Sequence, residues 1–201
     1  MKKPYLWQDA DFPHFYHNPA VVEPLETAFK AEVANLDARL RLHNLGFEDV
    51  FTEEIVANSE IEGVLLDRES VHSSFVANIT PAREKEQGAV ALTRMALEHA
   101  NEALSHELLF AMHREILKGS DSFPAESIGA YVGNMKIVSG TRMDREPKVI
   151  HEGVSRDRVY AKMTEFIEWF NRCPAKSPLV NAIQGHVHFE TLHPFCDGNG
   201  R

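Results

Sequence analysis

The stretch that decides the fold is the last one: Pro178-Leu179-Val180-Asn181-Ala182-Ile183-Gln184-Gly185-His186-Val187-His188-Phe189-Glu190-Thr191-Leu192-His193-Pro194-Phe195-Cys196-Asp197-Gly198-Asn199-Gly200-Arg201. Pro194 disfavours helical backbone at His193, so the spacing predicts a helix from about Pro178 to Leu192 that hands over to a loop. Two glycines around Asn199 let consecutive N–H groups point into one concavity.

Working outward, the chain reads as mostly helical. Asn18-Pro19 is a cap followed by Pro at the first helical position. Val22, Leu25, Phe29, Val33, Leu36 and Leu40 then recur at three- and four-residue steps, predicting one long amphipathic helix ending near Gly46. A second helix is predicted over Glu48 to Ser59, with Val50, Phe51, Ile55 and Val56 inward and a stop at Gly63. Others are predicted from Asp67 to about Ala77, Pro81 to Asn101, Ser105 to Leu117 and Arg156 to Asn171. The last carries Val159, Met163, Phe166, Ile167 and Phe170 on one side. Gly129 to Ile150 is β-prone and glycine-punctuated, which predicts a hairpin or flap. The start, up to about Pro19, reads as an extended arm, and a boundary falls near Pro81.

Composition narrows the function classes. A chain of 201 residues buries about 70% of its unfolded surface, enough for a core without staples. The formal charge of −9 argues against a general nucleic-acid binder, which needs cationic surface to displace counterions. It leaves room for one small nucleotide in a local cationic pocket. Two cysteines, Cys173 and Cys196, fit a reducing compartment. No signal-peptide core or membrane-length apolar run appears. The expectation is a cytoplasmic protein with no membrane and no nucleic-acid partner.

The terminal loop carries the candidate chemistry. A nest of N–H groups binds phosphate oxygens, and Arg201 adds a forked cation suited to them. Asp197 is a hard oxygen donor for Mg²⁺, which favours one or two carboxylates plus phosphates. His193 titrates near neutral pH, as a general base must. Phe195 is expected to anchor the loop in the core.

The run from His193 to Arg201 resembles the signature of the Fic family, His-x-Phe-x-Asp/Glu-Gly-Asn-Gly-Arg, at every fixed position present, and residues 182–192 resemble the helix leading into it. The resemblance implies an all-α fold, a helical bundle with a short β-hairpin flap beside the active site. It implies AMP transfer from ATP to a Ser, Thr or Tyr hydroxyl of a target protein. By position, His193 would be the catalytic base, and Asp197 would hold Mg²⁺. Gly198, Asn199 and Gly200 would form the anion hole, with Arg201 gripping the phosphates. Met135-Lys136-Ile137-Val138-Ser139-Gly140 resembles the flap, giving Ile137, Val138, Ser139 and Gly140 as target-docking residues by strand addition. Asn58-Ser59-Glu60-Ile61-Glu62-Gly63 resembles the family's inhibitory helix, with Glu62 and Ser59 as inhibitory residues, although Asn58 stands where the family has Ser or Thr. Tyr5 to Phe15 resembles the N-terminal region of many bacterial Fic proteins. The division implied is 1–80, a helical region carrying the inhibitory helix, and 81–201, a Fic core. The family signature continues to a second arginine three residues past Arg201, so the sequence is read as truncated after the motif. That leaves the activity of the 201-residue piece open.

Other readings stand beside it. The piece is a non-catalytic interaction module, or a Fic relative with phosphoryl, phosphocholine or AMP-removing chemistry. A remoter reading pairs Glu69-x-x-His72 with Glu190-x-x-His193 as half of a di-iron helical bundle. His186 is expected to be packed and His188 at the surface, since residues two apart point to different sides of a helix. Cys196 is expected to be a half-buried thiol rather than a nucleophile. The oligomeric state, a homodimer included, is left open.

Overall fold

The computed structural model describes residues 5–43, 46–77, 83–139, 148–173 and 177–201. Seven α-helices occur among them: α1 (Pro19–Leu42), α2 (Phe47–Ile61), α3 (Arg68–Val76), α4 (Glu84–Glu98), α5 (His106–Ile116), α6 (Val159–Arg172) and α7 (Pro178–Leu192). Strands β1 (Lys136–Ser139) and β2 (Lys148–Glu152) form one antiparallel hairpin between α5 and α6. The fold is therefore mostly α with a two-stranded flap.

Local signals set the helix ends. Asn18 Oδ1 accepts from the Ala20 amide at the head of α1, Asp67 Oδ1 from Ser70 at α3, and Ser105 Oγ from Leu108 at α5. Such caps satisfy amides that the helix itself leaves unpaired. The helix predicted from Pro81 begins at Glu84 among the described residues; Pro81 lies outside them.

Two buried clusters organise the packing. Val159, Met163, Phe166 and Ile167 of α6 meet Leu192 of α7 and Val154, which follows β2. Ile55 of α2, Val71 of α3 and Val90 of α4 form the second. Between α3 and α4 the Glu86 carboxylate is 1% exposed and accepts from the Asp67 amide at 2.9 Å. Burying that charge is tolerable because it is hydrogen-bonded and Arg83 stands 3.6 Å away.

Two expectations need correction. The stripe along α1 is amphipathic, yet Leu25, Phe29 and Val33 are exposed. Of that stripe only Leu40 is fully buried, because α7 is the one helix that α1 packs against closely among the described residues. On α7 the histidines are reversed. His186 is exposed, whereas His188 is 2% exposed and boxed by Phe12, Phe15, Phe166 and Trp169. The N-terminal arm covers one side of α7 and α6 the other, so His188 lies between them. That arm is only partly extended: a 3₁₀ turn, Leu6–Gln8, interrupts it.

Candidate active site

The loop after α7 is built by its own residues and by others distant in the chain. α7 ends at Leu192 because His193 takes left-handed backbone, φ 48° and ψ 60°, while its N–H still bonds Phe189 O. A trans Pro peptide follows well from a non-helical residue, as the sequence predicts. The segment between β2 and α6 then closes on this turn. Val154 N–H donates to Leu192 O, while Val132 N–H, from the stretch ahead of β1, donates to Pro194 O. A Cβ on Gly153 would stand 2.9 Å from Leu192 O and 3.0 Å from His193 O, so only glycine permits the approach.

Within the loop Asn199 is 5% exposed. Its Oδ1 accepts from Phe195 N–H at 3.0 Å and its Nδ2 donates to Phe195 O at 3.1 Å. The Asn199 side chain is thus a staple across five residues, and only its backbone amide is left for an anion. Among the described residues, none of the hydrogen bonds uses the amides of Gly198, Asn199 or Gly200. Gly198 has φ +70°, a conformation that L side chains rarely adopt. Phe195 is buried and packs on Tyr131, Phe189 and His113, as its anchoring role requires.

His193 is half-buried, and its Nδ1 is sealed from solvent, 3.9 Å from Glu190 Oε2. Burial lowers its pKa. The Glu190 carbonyl and the Asp197 charge pull the other way, and His151 adds to the lowering. Nε2 is the nitrogen able to exchange a proton with an incoming group. Asp197 is half-exposed, and Arg201 Nη2 lies 3.3 Å from its Oδ2. Arg201 also lines two cavities, of about 400 Å³ between α2, α4 and α5 and of about 280 Å³ toward α6 and α7.

Glu62 caps the C-terminal end of α2 and reaches the loop. A Cβ on Gly200 would stand 2.6 Å from Glu62 Oε1 and 3.8 Å from Glu190 Oε1. Glu190's carboxyl pKa is raised, first by burial and then by the Glu62 charge, with His186 opposing. Ser59 is buried one turn earlier in α2 and lines the larger cavity.

Residues 103–201 match the family model described as Fic/DOC family, and residues 5–80 match that of a domain of unknown function, DUF4172. This C-terminal half belongs to the Fic/DOC family. The chain is similar to the crystal structure of a Fic family protein from Desulfovibrio desulfuricans G20, at 26% identity and a TM-score of 0.61 over 94% of this chain. It spans 56% of the length of that protein. A Fic domain containing signaling protein from Bacteroides thetaiotaomicron VPI-5482 shares the fold, with 16% identity, a TM-score of 0.54, and 92% of this chain and 68% of that one covered. No curated protein sequence matches.

The Fic flap is the β1–β2 hairpin, paired Lys136 to Glu152, Ile137 to His151, Val138 to Val149 and Ser139 to Lys148. The register shifts after Ile137, which leaves Ile150 unpaired and exposed. Val138 is exposed; Ser139 ends β1, and Gly140 lies outside the described residues. His151 Nε2 meets Thr191 O at 2.9 Å, and its ring stands edge-on to His193 at 6.4 Å. Trp7 Nε1 donates to Glu152 O, so the N-terminal arm grips the flap's base.

Sequence reasoning missed His113, which reaches the Fic loop from α5. It is fully buried, bonds Asp197 O and lies flat on Phe195 at 4.0 Å. Nothing local in Ala111-Met112-His113-Arg114 signals that role. Cys196 is half-buried with burial raising its pKa, so it is a poor thiolate. The di-iron residues do not assemble: His72 pairs with Asp49, and among the described residues no group of three or more His, Cys, Asp or Glu is placed to hold a metal. No helix among them is long and apolar enough to cross a membrane.

Proposed function

We propose that this site transfers AMP from ATP to a Ser, Thr or Tyr hydroxyl of a target protein. The observation that carries the proposal is the pairing of a half-buried imidazole, open at Nε2, with a stapled loop whose Gly198, Asn199 and Gly200 amides have no acceptor among the described residues. The acceptor oxygen attacks the α-phosphorus as the bond to the β-phosphate bridge oxygen breaks and pyrophosphate leaves. His193 Nε2 takes the hydroxyl proton. A lowered pKa keeps that nitrogen unprotonated near neutral pH. The three amides and Arg201 receive the charge that builds on the phosphate oxygens, as preorganised donors do without reorganising.

Asp197 fits Mg²⁺: a half-exposed carboxylate suits a cation whose other ligands are phosphates and waters. Bound there, Mg²⁺ would neutralise charge on the α- and β-phosphates. Arg201 now pairs with Asp197 and would turn to phosphate when nucleotide binds. Glu62, set against Gly200, brings negative charge to the spot where phosphate oxygens need donors, which supports an inhibitory role. The flap offers β1 for pairing with an extended target segment. The test uses the 201-residue chain with ATP labelled at α or at γ. Label retained only from α is the expected result; label only from γ means a kinase, and neither means an inert piece or another donor.

A further inference from the structure

We infer that His113 is a positioning residue of the phosphate loop: its imidazole turns the Asp197–Gly198 peptide so that the Gly198 amide faces the anion site. The inference rests on the phosphate reading of that loop and deepens it.

The hydrogen bonds fix the state of the ring. Gly129 N–H donates to Nδ1 at 2.8 Å, so Nδ1 carries a lone pair. The proton therefore sits on Nε2, which donates to Asp197 O at 3.2 Å. His113 is fully buried, neutral and satisfied at both nitrogens. Its ring stacks on Phe195 at 4.0 Å with 9° between planes, which fixes the direction of Nε2–H.

Peptide geometry carries the effect into the site. In a trans peptide the carbonyl and the following N–H point opposite ways in one plane. Holding Asp197 O inward on α5 therefore turns Gly198 N–H away from α5. That amide has no acceptor among the described residues. A loop with two glycines would otherwise flip this peptide at little cost. Asn199 holds the loop's width through Phe195, and His113 holds the rotation of one peptide within it. The two devices bond different peptides and meet at Phe195, which His113 stacks on and Asn199 bonds.

The test compares wild type, His113→Phe and His113→Gln for binding of inorganic pyrophosphate with Mg²⁺ by calorimetry. The ¹⁵N–¹H resonance of Gly198 is followed in the same samples, with thermal unfolding as a fold check. Phe keeps the ring over Phe195 but carries neither donor nor acceptor; Gln supplies an amide donor. Wild type should bind, and its Gly198 resonance should move on binding. A folded H113F should bind about tenfold more weakly, the scale of one charge-assisted hydrogen bond lost, with Gly198 already shifted in the free protein. H113Q should recover most of both. A folded H113F with wild-type affinity and an unmoved Gly198 resonance overturns the inference. Should H113F fail to fold, an H113Q whose Gly198 resonance moves without any change in affinity overturns it equally. Wild type that binds no pyrophosphate sinks the phosphate reading itself, a failure distinct from that of His113.

Discussion

The carboxylate of Glu62, at the end of α2, stands against the α-carbon of Gly200, 138 positions along the chain, leaving 2.6 Å to where a Cβ would be. An acid so placed repels phosphate oxygens from the loop that should receive them. Glu62→Gly is expected to raise auto-modification several-fold or more, measured as incorporation from α-labelled ATP. An unchanged or lower rate would remove Glu62 from regulation.

His193→Ala should cut transfer by about 10²- to 10⁴-fold, the usual share of a general base, while ATP binding, measured by calorimetry, stays. Because burial holds His193 below its ordinary pKa of 6.5, the acid limb of kcat/KM should fall below pH 6.5. Wild-type transfer by the variant, or a limb well above that pH, would assign the base elsewhere.

Asn199→Ala leaves the buried Phe195 N–H and C=O without partners. Each unsatisfied group costs about 1–3 kcal/mol. A lower Tm and lost pyrophosphate binding should appear together in thermal melts and calorimetry. Asp at 199 should do only slightly better, since its oxygens accept from Phe195 N–H but repel Phe195 O. An Ala variant with full phosphate affinity would show that the staple does not shape the nest.

His188 gives an acid-sensitivity prediction. Burial lowers its pKa to about 4; Glu165 opposes this and Lys162 adds to it. The unfolded chain binds a proton near 6.5, so between that pH and about 4 the unfolded state holds more protons. Stability contributed by the neutral ring is complete above pH 6.5 and declines as pH falls toward 4, by roughly 3 kcal/mol at most. His188→Phe should flatten the fall of chemical-denaturation stability over that window. A slope equal to wild type would place the sensitivity on other groups.

Much of the site was legible because its signals are local. Pro178 sits at the head of α7 and Pro194 acts on the residue just before it, so the helix starts and stops where these two neighbours dictate. The caps Asn18, Asp67 and Ser105 act within three residues. Glycines around Asn199 allow the loop its turn, and Phe195 is apolar enough to anchor it. Periodicity likewise announced α6, whose inward residues form the main core. The loop's chemistry, imidazole, carboxylate, amides and guanidinium, is written in nine consecutive residues.

Tertiary structure alone decided which of these groups are held, and by what. His113 is 84 positions from Asp197, and no local pattern marks a histidine as the partner of a remote carbonyl. Periodicity gives α1 an apolar stripe but cannot supply a neighbour, so Leu25, Phe29 and Val33 stay exposed. On α7 it cannot say which side the N-terminal arm covers, and that covering buried His188 rather than His186. Backbone conformation follows from near neighbours along the chain; burial, charge proximity and the aim of a hydrogen bond follow from what the fold brings alongside.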